Sequence, residues 1–232
     1  MSAATRIGLV SPSHLASNPP LVKEAEALCD AGFDVHVVSG QNHPITDRLE
    51  KSVMAHAPWR THRLDFRPSF SAKLSRLRQL IALRRLRRFS SNVVPLALAR
   101  TAHSTTIERL AKAARSTESQ LFIGHTIAGL AAAAWAAQRS GASFAFDAED
   151  FHTGETDAVL NDSAQHTAIR VIEETLLPQA IYLTAAAPLI ADAYADLYPL
   201  ESKPISMLNV FPRTNAPANP VRPTDDGVFR LY

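Results

Sequence analysis

The sequence predicts a doubly wound α/β fold, in which a mostly parallel sheet carries helices on both of its faces. Short apolar runs alternate with helical segments from the N-terminus to about residue 210. Several of these runs end directly in polar or charged residues, as parallel strands do where they meet a binding crevice. The 232 residues are 46% hydrophobic and 20% charged, so the chain can bury a large core. A sheet layered in this way is Rossmann-like.

The N-terminal strand–helix–strand unit is the clearest part of this pattern. Residues 6–11 form an apolar strand, and Asn18 followed by two prolines marks the start of a helix over residues 21–31. Gly32 ends this helix, and residues 33–39 form the second strand. The short connection implies a right-handed parallel crossover.

The loop after the first strand carries Ser13 and His14 but no glycine. It therefore lacks the G-x-G-x-x-G turn that cradles a pyrophosphate, which disfavours a dinucleotide-dependent oxidoreductase. Because two crossovers can diverge at this strand, we expect Ser13 and His14 to face a cleft. Ordinary loop capping is the alternative.

A basic segment follows a short third strand at residues 62–66. Residues 60–115 hold 14 of the 24 lysines and arginines but only two acids. A helix over residues 71–89 has Leu or Phe at every third position from Leu74 onward, so its apolar stripe winds around the axis by about 60° per step. A break near residue 92 precedes a second helix over residues 95–115.

Residues 71–115 are thus predicted to form a basic helical segment. The basic residues of 60–88, which end in this segment, have three interpretations. They form a solvated surface, a nucleic-acid site, or a surface that docks on anionic lipid through Arg84, Arg85, Arg87 and Arg88. Nucleic-acid binding is the least favoured, because no recognised reading motif accompanies the charge. A non-catalytic module that docks on a membrane or on a partner protein is therefore the alternative function.

The C-terminal half brings ionisable residues to two more strand ends. The fourth strand, residues 121–125, ends at His125 and Thr126, and an alanine-rich helix over residues 128–139 can pack close to the sheet. The strand at residues 142–146 runs into three acids and a histidine: Asp147, Glu149, Asp150 and His152. Further helices and strands are expected at residues 163–177, 180–184, 188–198 and 205–210.

The acidic cluster has three chemical interpretations. Asp147 and Glu149 share one face of a strand and Asp150 takes the other, and packed carboxylates can raise one another's pKa and act as acid and base. The cluster could also bind a hard cation with His152, as in a metal-dependent hydrolase. A third interpretation is helix capping or ion pairing with basic side chains. A role in a binding cleft is the interpretation that we favour.

The single cysteine, Cys29, excludes an internal disulfide and indicates a reducing compartment. Its apolar neighbours predict a packed core thiol. No apolar run is long enough to span a bilayer, and the N-terminal residues lack the apolar core of a signal peptide. We therefore expect a cytoplasmic protein, peripheral on the inner face of the membrane if the basic helix binds lipid.

Residues 1–213 are predicted to form one domain. Residues 214–227 are rich in proline and are typical of a linker, and residues 228–232 resemble the start of a strand. We expect this strand to open a second domain that is missing from the chain.

Four stretches resemble the N-terminal domain of family 4 glycosyltransferases, which have the GT-B fold. They are residues 18–25 with the strand that follows, 122–125, 146–150 and 173–213. The sequence FDAED at 146–150 is similar to the family's Tyr-Asp-Ala-His-Glu. The likeness covers nearly the whole chain, and its order and spacing are more specific than any single motif. Two departures are that Glu149 stands where many members have histidine, and that the first loop lacks a common Gly-Gly pair.

The resemblance implies the acceptor-binding half of a retaining glycosyltransferase, which transfers a sugar from a nucleotide-sugar to an acceptor hydroxyl. By the same resemblance, the missing second domain binds most of the donor, neither a metal nor another cofactor is required, and the acceptor is often lipid-linked. The residues expected to be catalytic are Asp147, Glu149 and Asp150. The residues expected to bind the acceptor are Ser13, His14, His125, Thr126 and His152.

Overall fold

A single sheet of seven strands organises the residues that the computed structural model describes, which are 4–41, 44–89, 94–154 and 163–210. The strands are β1 (Arg6–Val10), β2 (Asp34–Gln41), β3 (Arg60–Asp65), β4 (Leu121–His125), β5 (Ser143–Ala148), β6 (Leu183–Ala185) and β7 (Ile205–Ser206). Their order is β3-β2-β1-β4-β5-β6-β7, and all neighbours are parallel. The chain thus winds outward from β1 in both directions, and the predicted doubly wound fold is confirmed.

Within the described residues, eight α-helices connect these strands. They are α1 (Pro19–Asp30), α2 (Pro44–Ala55), α3 (Phe70–Leu86), α4 (Leu96–His103), α5 (Ile107–Arg115), α6 (Thr126–Ser140), α7 (Ala164–Leu176) and α8 (Pro188–Leu197). The sequence pattern did not predict α2, and it joined α4 and α5 into one helix. The joined helix was wrong because the Ser104 side chain accepts a hydrogen bond from the Thr106 backbone at 3.2 Å, which turns the chain locally.

The core lies in two layers, one on each face of the sheet. Consecutive strand residues point to opposite faces, so Leu9 packs in the smaller layer with α1 and Val10 in the larger layer with α5 to α7. Ile123 and Phe122 of β4 divide in the same way. Cys29 is half-buried beside the smaller layer, and burial raises the pKa of its thiol.

The alanine-rich helix α6 packs directly on the two central strands, as the composition predicted. A Cβ on Gly129 would stand 2.4 Å from the backbone oxygen of Val10, and one on Gly124 would stand 2.5 Å from the backbone nitrogen of Leu130. Real Cβ atoms do not approach backbone so closely, so both glycines are needed for this contact. Close packing fixes the start of α6 against the end of β4.

The helix α3 shows the winding stripe that its sequence predicted. Leu74, Leu77 and Leu80 are 47%, 53% and 43% exposed, whereas Leu86 is buried. On the buried side, the Gln79 amide donates to two backbone oxygens at the end of α4, both at 3.0 Å. The helix therefore attaches to the domain by one side and presents leucines on the other.

The last two strands are shorter than predicted. A 3-10 turn at Leu177–Gln179 delays β6 until Leu183, and β7 contains only Ile205 and Ser206. The predicted linker at residues 214–227 and the predicted strand at residues 228–232 lie outside the described residues.

Candidate functional site

The site is built around His125, which ends β4 and is completely buried. Its Nε2 lies 2.7 Å from Oε2 of Glu24, and its Nδ1 lies 3.0 Å from Oε1 of Glu149. Oδ2 of Asp147 lies 3.4 Å from the same Nδ1. One imidazole ring therefore touches three carboxylates, all of which keep between 16% and 23% of their side-chain surface exposed.

The sheet register explains why these groups meet. His125 of β4 is directly opposite Asp147 of β5, and Asp147 is opposite Thr184 of β6. The Thr184 hydroxyl donates to Oδ1 of Asp147. Glu24 reaches the ring from α1, which covers the same face of the sheet. The cluster thus forms at the carboxyl ends of neighbouring strands, where ligands bind in open α/β sheets.

The electrostatics of the cluster favour a charged imidazole. Burial opposes the charge on His125, but the hydrogen bonds to Glu149 and Glu24 and the charge of Asp147 outweigh it and raise the histidine pKa to about 10. Burial also raises the pKa of Asp147, although His125 and Thr184 act against that shift. Near neutral pH the cluster is an imidazolium with acidic partners.

The pKa of Glu149 is lowered in spite of its burial. Burial acts against its ionisation, but hydrogen bonds from His125 and Asn18 lower its pKa. Asn18 is buried and also caps α1, because its Oδ1 accepts from the Leu21 backbone nitrogen at 3.1 Å. A single side chain therefore fixes both the start of α1 and the Glu149 carboxylate.

A cavity of about 450 Å³ opens beside the cluster. Its polar lining includes Glu24, Asp147 and Glu149, and its apolar lining includes Leu28, Tyr182, Met207 and Leu208. Lys23 stands at its wall and donates to Oδ1 of Asn209 at 2.8 Å. A wider cleft of about 770 Å³ lies at the amino ends of β4 and β5, whereas the cluster lies at their carboxyl ends.

The donor set does not favour a metal ion. Ligand atoms of His125, Asp147 and Glu149 lie within 4.8 Å of one another, as a metal site would require. However, both nitrogens of the His125 ring already contact carboxylates, Glu24 at Nε2 and Glu149 at Nδ1, so a metal ion would have to displace one of these contacts.

The structure places Ser13 and His14 away from this cluster. The buried His14 lies 3.3 Å from Oε1 of Glu50 through Nδ1 and 3.0 Å from the Thr46 hydroxyl through Nε2. The Ser13 backbone oxygen accepts from Gly40 at 3.2 Å. The loop after β1 therefore leans toward β2 and α2 instead of toward β4.

Three other predicted residues surround the cluster without joining it. Asp150 is exposed, and its backbone oxygen accepts from the Tyr194 hydroxyl at 3.2 Å. His152 is half-buried in the loop that follows. Thr126 begins α6 with φ of 63°, a left-handed conformation that is costly for a β-branched residue. Its buried hydroxyl has no hydrogen-bond partner among the described residues.

Two important members of the site were not predicted. Glu24 lies on a helix surface, where an acid normally faces water, and the sequence gives no local signal that it will meet His125. Asn18 was recognised as a helix cap, but its donation to Glu149 depends on the tertiary arrangement.

The four arginines predicted to dock on lipid are all exposed at the end of α3: Arg84, Arg85, Arg87 and Arg88. Among the helices of the described ranges, none combines the length and the apolar character needed to cross a bilayer.

Solved structures resemble this chain at the level of fold. Over 89% of the chain and 44% of the other protein, it matches Anabaena HepE in complex with UDP-glucose, with 14% identity and a TM-score of 0.52. The same protein with UDP and glucose gives 13% identity over 89% and 45%, also with a TM-score of 0.52. A Listeria monocytogenes protein provisionally named UDP-N-acetylglucosamine 2-epimerase gives 10% identity over 84% and 43%, with a TM-score of 0.50.

Neither a protein-family model nor a curated protein sequence matches the chain. The chain spans less than half the length of the three structures above. These likenesses support the GT-B fold that the sequence resemblance implied. Membership of family 4 and the position of this domain at the N-terminus of a larger enzyme stay predictions.

Proposed function

We propose that this chain is the N-terminal, acceptor-binding half of a retaining glycosyltransferase that uses a nucleotide-sugar donor. The observation that carries the proposal is the pairing of Asp147 and Glu149 with a buried imidazolium at the wall of a cavity. This cavity lies at the carboxyl edge of a parallel sheet, where such folds bind their ligands. The likeness to a fold solved with UDP-glucose supports the donor class.

The cavity suits an acceptor that has both hydroxyls and an apolar part. The ionised Glu149 would accept a hydrogen bond from an acceptor hydroxyl, and Asp147 would contact a second polar group. Leu28, Tyr182 and Met207 would pack against the apolar part. His125 does not reach the acceptor in this scheme, because it is completely buried and holds the carboxylates in place.

In the reaction, the acceptor oxygen forms a new bond to the anomeric carbon while the bond from that carbon to the diphosphate breaks. In the proposed step the acceptor attacks on the face that the diphosphate leaves, which retains the configuration, and the hydroxyl proton passes to the departing diphosphate oxygen. A second domain would hold the donor. The contribution of this chain is to position the acceptor hydroxyl, which lowers the barrier by fixing the distance and direction of attack.

The test is the turnover of the full-length enzyme with Glu149→Gln. The amide keeps the size of the side chain but removes the charge, and we expect kcat/KM for the acceptor to fall by at least tenfold. Glu26→Gln is the matched control, since Glu26 is an exposed acid on the same helix as Glu24. Equal loss in the control, or no loss in Glu149→Gln, would contradict the proposal.

A second candidate function is peripheral docking on an anionic membrane, because α3 exposes both leucines and arginines. Leu77, Leu80 and Ile81 are 53%, 43% and 43% exposed, and the four arginines at the helix end, 84, 85, 87 and 88, are exposed beside them. Apolar side chains interleaved with arginine are typical of helices that lie at a lipid interface.

Flotation with vesicles of phosphatidylglycerol and phosphatidylcholine tests this docking. Replacing the four arginines by glutamine should abolish binding at physiological salt. The matched control changes four exposed cations elsewhere to glutamine, namely Arg48, Lys51, Arg170 and Lys203. If both variants lose binding equally, net charge and not the α3 surface is responsible.

A further inference from the structure

A second basic site surrounds Trp135, on the helical layer far from the carboxylate cluster. The guanidinium of Arg100 from α4 lies 4.6 Å from the centre of the Trp135 ring, and that of Arg139 from α6 lies 5.3 Å from it. Cation–π contacts of this kind hold a guanidinium in place at a half-buried position. One indole ring therefore fixes two like charges close together.

The arginines around Trp135 outnumber the acids near them among the described residues. In the described part of the chain, no ion pair with a carboxylate is formed by Arg78, Arg100, Arg115 or Arg139. Glu108 is the acid that lies among them, and its Oε1 already accepts from Nζ of Lys112 at 2.7 Å. The surface thus has an excess of positive charge.

Holding Arg100 in this position costs free energy. Burial lowers the pKa of its guanidinium, and the neighbouring charge of Arg139 lowers it further. Groups that are half-desolvated and mutually repulsive are stabilised when an anion binds between them. An anion bound between Arg100 and Arg139 would relieve this repulsion.

Two small cavities both have Trp135 in their lining. One of about 100 Å³ is lined by Arg78, Arg100 and the hydroxyl-bearing residues Thr101, Ser104 and Thr105. The other, of about 180 Å³, is lined by Lys112, Arg115 and Arg139. Each is large enough for a phosphate group but too small for a sugar nucleotide, and each offers cations from at least two helices.

We propose that the surface around Trp135 is a binding site for a phosphate-bearing ligand, either a phosphomonoester or a diphosphate. Arginine is the side chain best suited to this chemistry, because its planar fork binds two phosphate oxygens at once. A ligand with two or more negative charges matches the clustered cations better than a single carboxylate does. This site is independent of the glycosyl transfer proposed above.

Isothermal titration of the intact chain with inorganic pyrophosphate, at constant ionic strength set with chloride, tests the proposal. We expect saturable binding that Arg100→Gln combined with Arg139→Gln weakens at least tenfold. Arg48→Gln is the matched control, an exposed arginine on α2 that should leave the affinity unchanged. Equal affinity in all three proteins, or no saturable binding at all, would overturn the site.

A spectroscopic measurement locates the binding. The chain has two tryptophans, so Trp59→Phe leaves Trp135 as the sole indole fluorophore. Pyrophosphate should change the emission of this variant with the same midpoint as the calorimetric curve. If Trp59→Phe fails to fold, the comparison of the arginine variants by calorimetry still decides the matter.

Vesicles distinguish the two sources of phosphate. If the ligand is a lipid headgroup, vesicles with phosphatidic acid should bind the wild type, and pyrophosphate should compete with them. If the ligand is soluble, pyrophosphate should bind while these vesicles bind no better than phosphatidylcholine alone. The site would be contradicted by one combination of results. In it, pyrophosphate gives no calorimetric binding, and vesicle binding is changed neither by pyrophosphate nor by replacing Arg100 and Arg139.

Discussion

The loop that follows β5 lies between two glutamates with very different surroundings. Glu173 on α7 is completely buried and accepts hydrogen bonds from the hydroxyls of Tyr194 at 2.8 Å, Tyr198 at 2.6 Å and Thr153. Burial and the nearby Glu173 charge raise the pKa of both tyrosines far above their usual range. Glu149 instead pairs with an imidazolium and faces a cavity.

These surroundings make Glu173 a structural acid and leave Glu149 available to a ligand. Glu173 is enclosed by neutral donors from α8 and from the loop, so it anchors residues 150–154 and offers no surface to solvent. Glu149 has one side held by His125 and Asn18 and the other at the cavity. Substitution of Glu173 should therefore lower the stability of the fold, whereas substitution of Glu149 should mainly change the cavity.

Glu173→Ala should have the largest effect on stability. It leaves two buried tyrosine hydroxyls and the Thr153 hydroxyl without their acceptor, and we expect a loss of about 3–5 kcal/mol in the free energy of unfolding. Urea denaturation measures it. The exposed neighbour serves as the control, because Glu174→Ala should cost less than about 0.5 kcal/mol. If the two variants lost similar amounts of unfolding free energy, the structural role of Glu173 would be contradicted.

His125→Gln should cost about 2–3 kcal/mol at pH 7, because the remaining carboxylates lose the cation between them. It should also change the pH dependence. The folded-state pKa of about 10 lies above the ordinary value of 6.5, so the histidine's contribution is complete below pH 6.5 and is lost as pH rises toward 10.

Urea denaturation of the wild type and of His125→Gln at several pH values between 6 and 10 tests this pH dependence. The difference in the free energy of unfolding between wild type and His125→Gln should shrink steadily across that range. A difference that stays constant would mean that His125 is neutral in the folded protein, and the cluster would then resemble the Glu173 site more closely.

Sequence alone predicted the fold, and it located three of the five side chains that the structure brings together in the cluster. Apolar runs and their polar ends located β4 and β5, and hence His125, Asp147 and Glu149, because a strand terminus is a local property. Glu24 escaped notice because it meets His125 across 101 positions of chain. His14 was expected in the cleft, but its partners Glu50 and Thr46 lie on α2, a helix that the periodicity did not reveal.

Two substitutions of Asn18 separate its effect on the stability of the fold from its effect on the pKa of Glu149. Asn18→Ala should lose the cap and the hydrogen bond to Glu149, at a cost of about 1–2 kcal/mol. Asn18→Asp keeps an acceptor for the Leu21 backbone but cannot donate to Glu149, so it should raise the pKa of Glu149 by repulsion. Urea denaturation and carboxyl NMR titration measure the two effects. If Asn18→Asp were as stable as the wild type and left the pKa of Glu149 unchanged, Asn18 would act only as a cap.

Lys23→Met should have the smallest effect. The Lys23 ammonium contacts the Asn209 side chain and the Val210 backbone oxygen at the exposed wall of the cavity, and such surface contacts contribute little. We expect a change below about 0.5 kcal/mol in the free energy of unfolding. Destabilisation above 1 kcal/mol in thermal or urea denaturation would show that the cavity wall is as structural as the Glu173 site.

The pairing of β1 with β4 has a consequence for folding during synthesis on the ribosome. β1 pairs with β2 on one side and with β4 on the other. Because Ile7 is paired with Leu121, β2, β3 and the helices α1 to α5 are all synthesised before this second partner exists. At a translation rate of about 5–20 residues per second, this delay is on the order of ten seconds. During it, the central strand has an open inner edge on the ribosome, and the α6 layer that covers Val10 is still absent. Fragments that end before β4 therefore leave one edge of β1 unpaired, and we expect them to aggregate more readily than the whole domain.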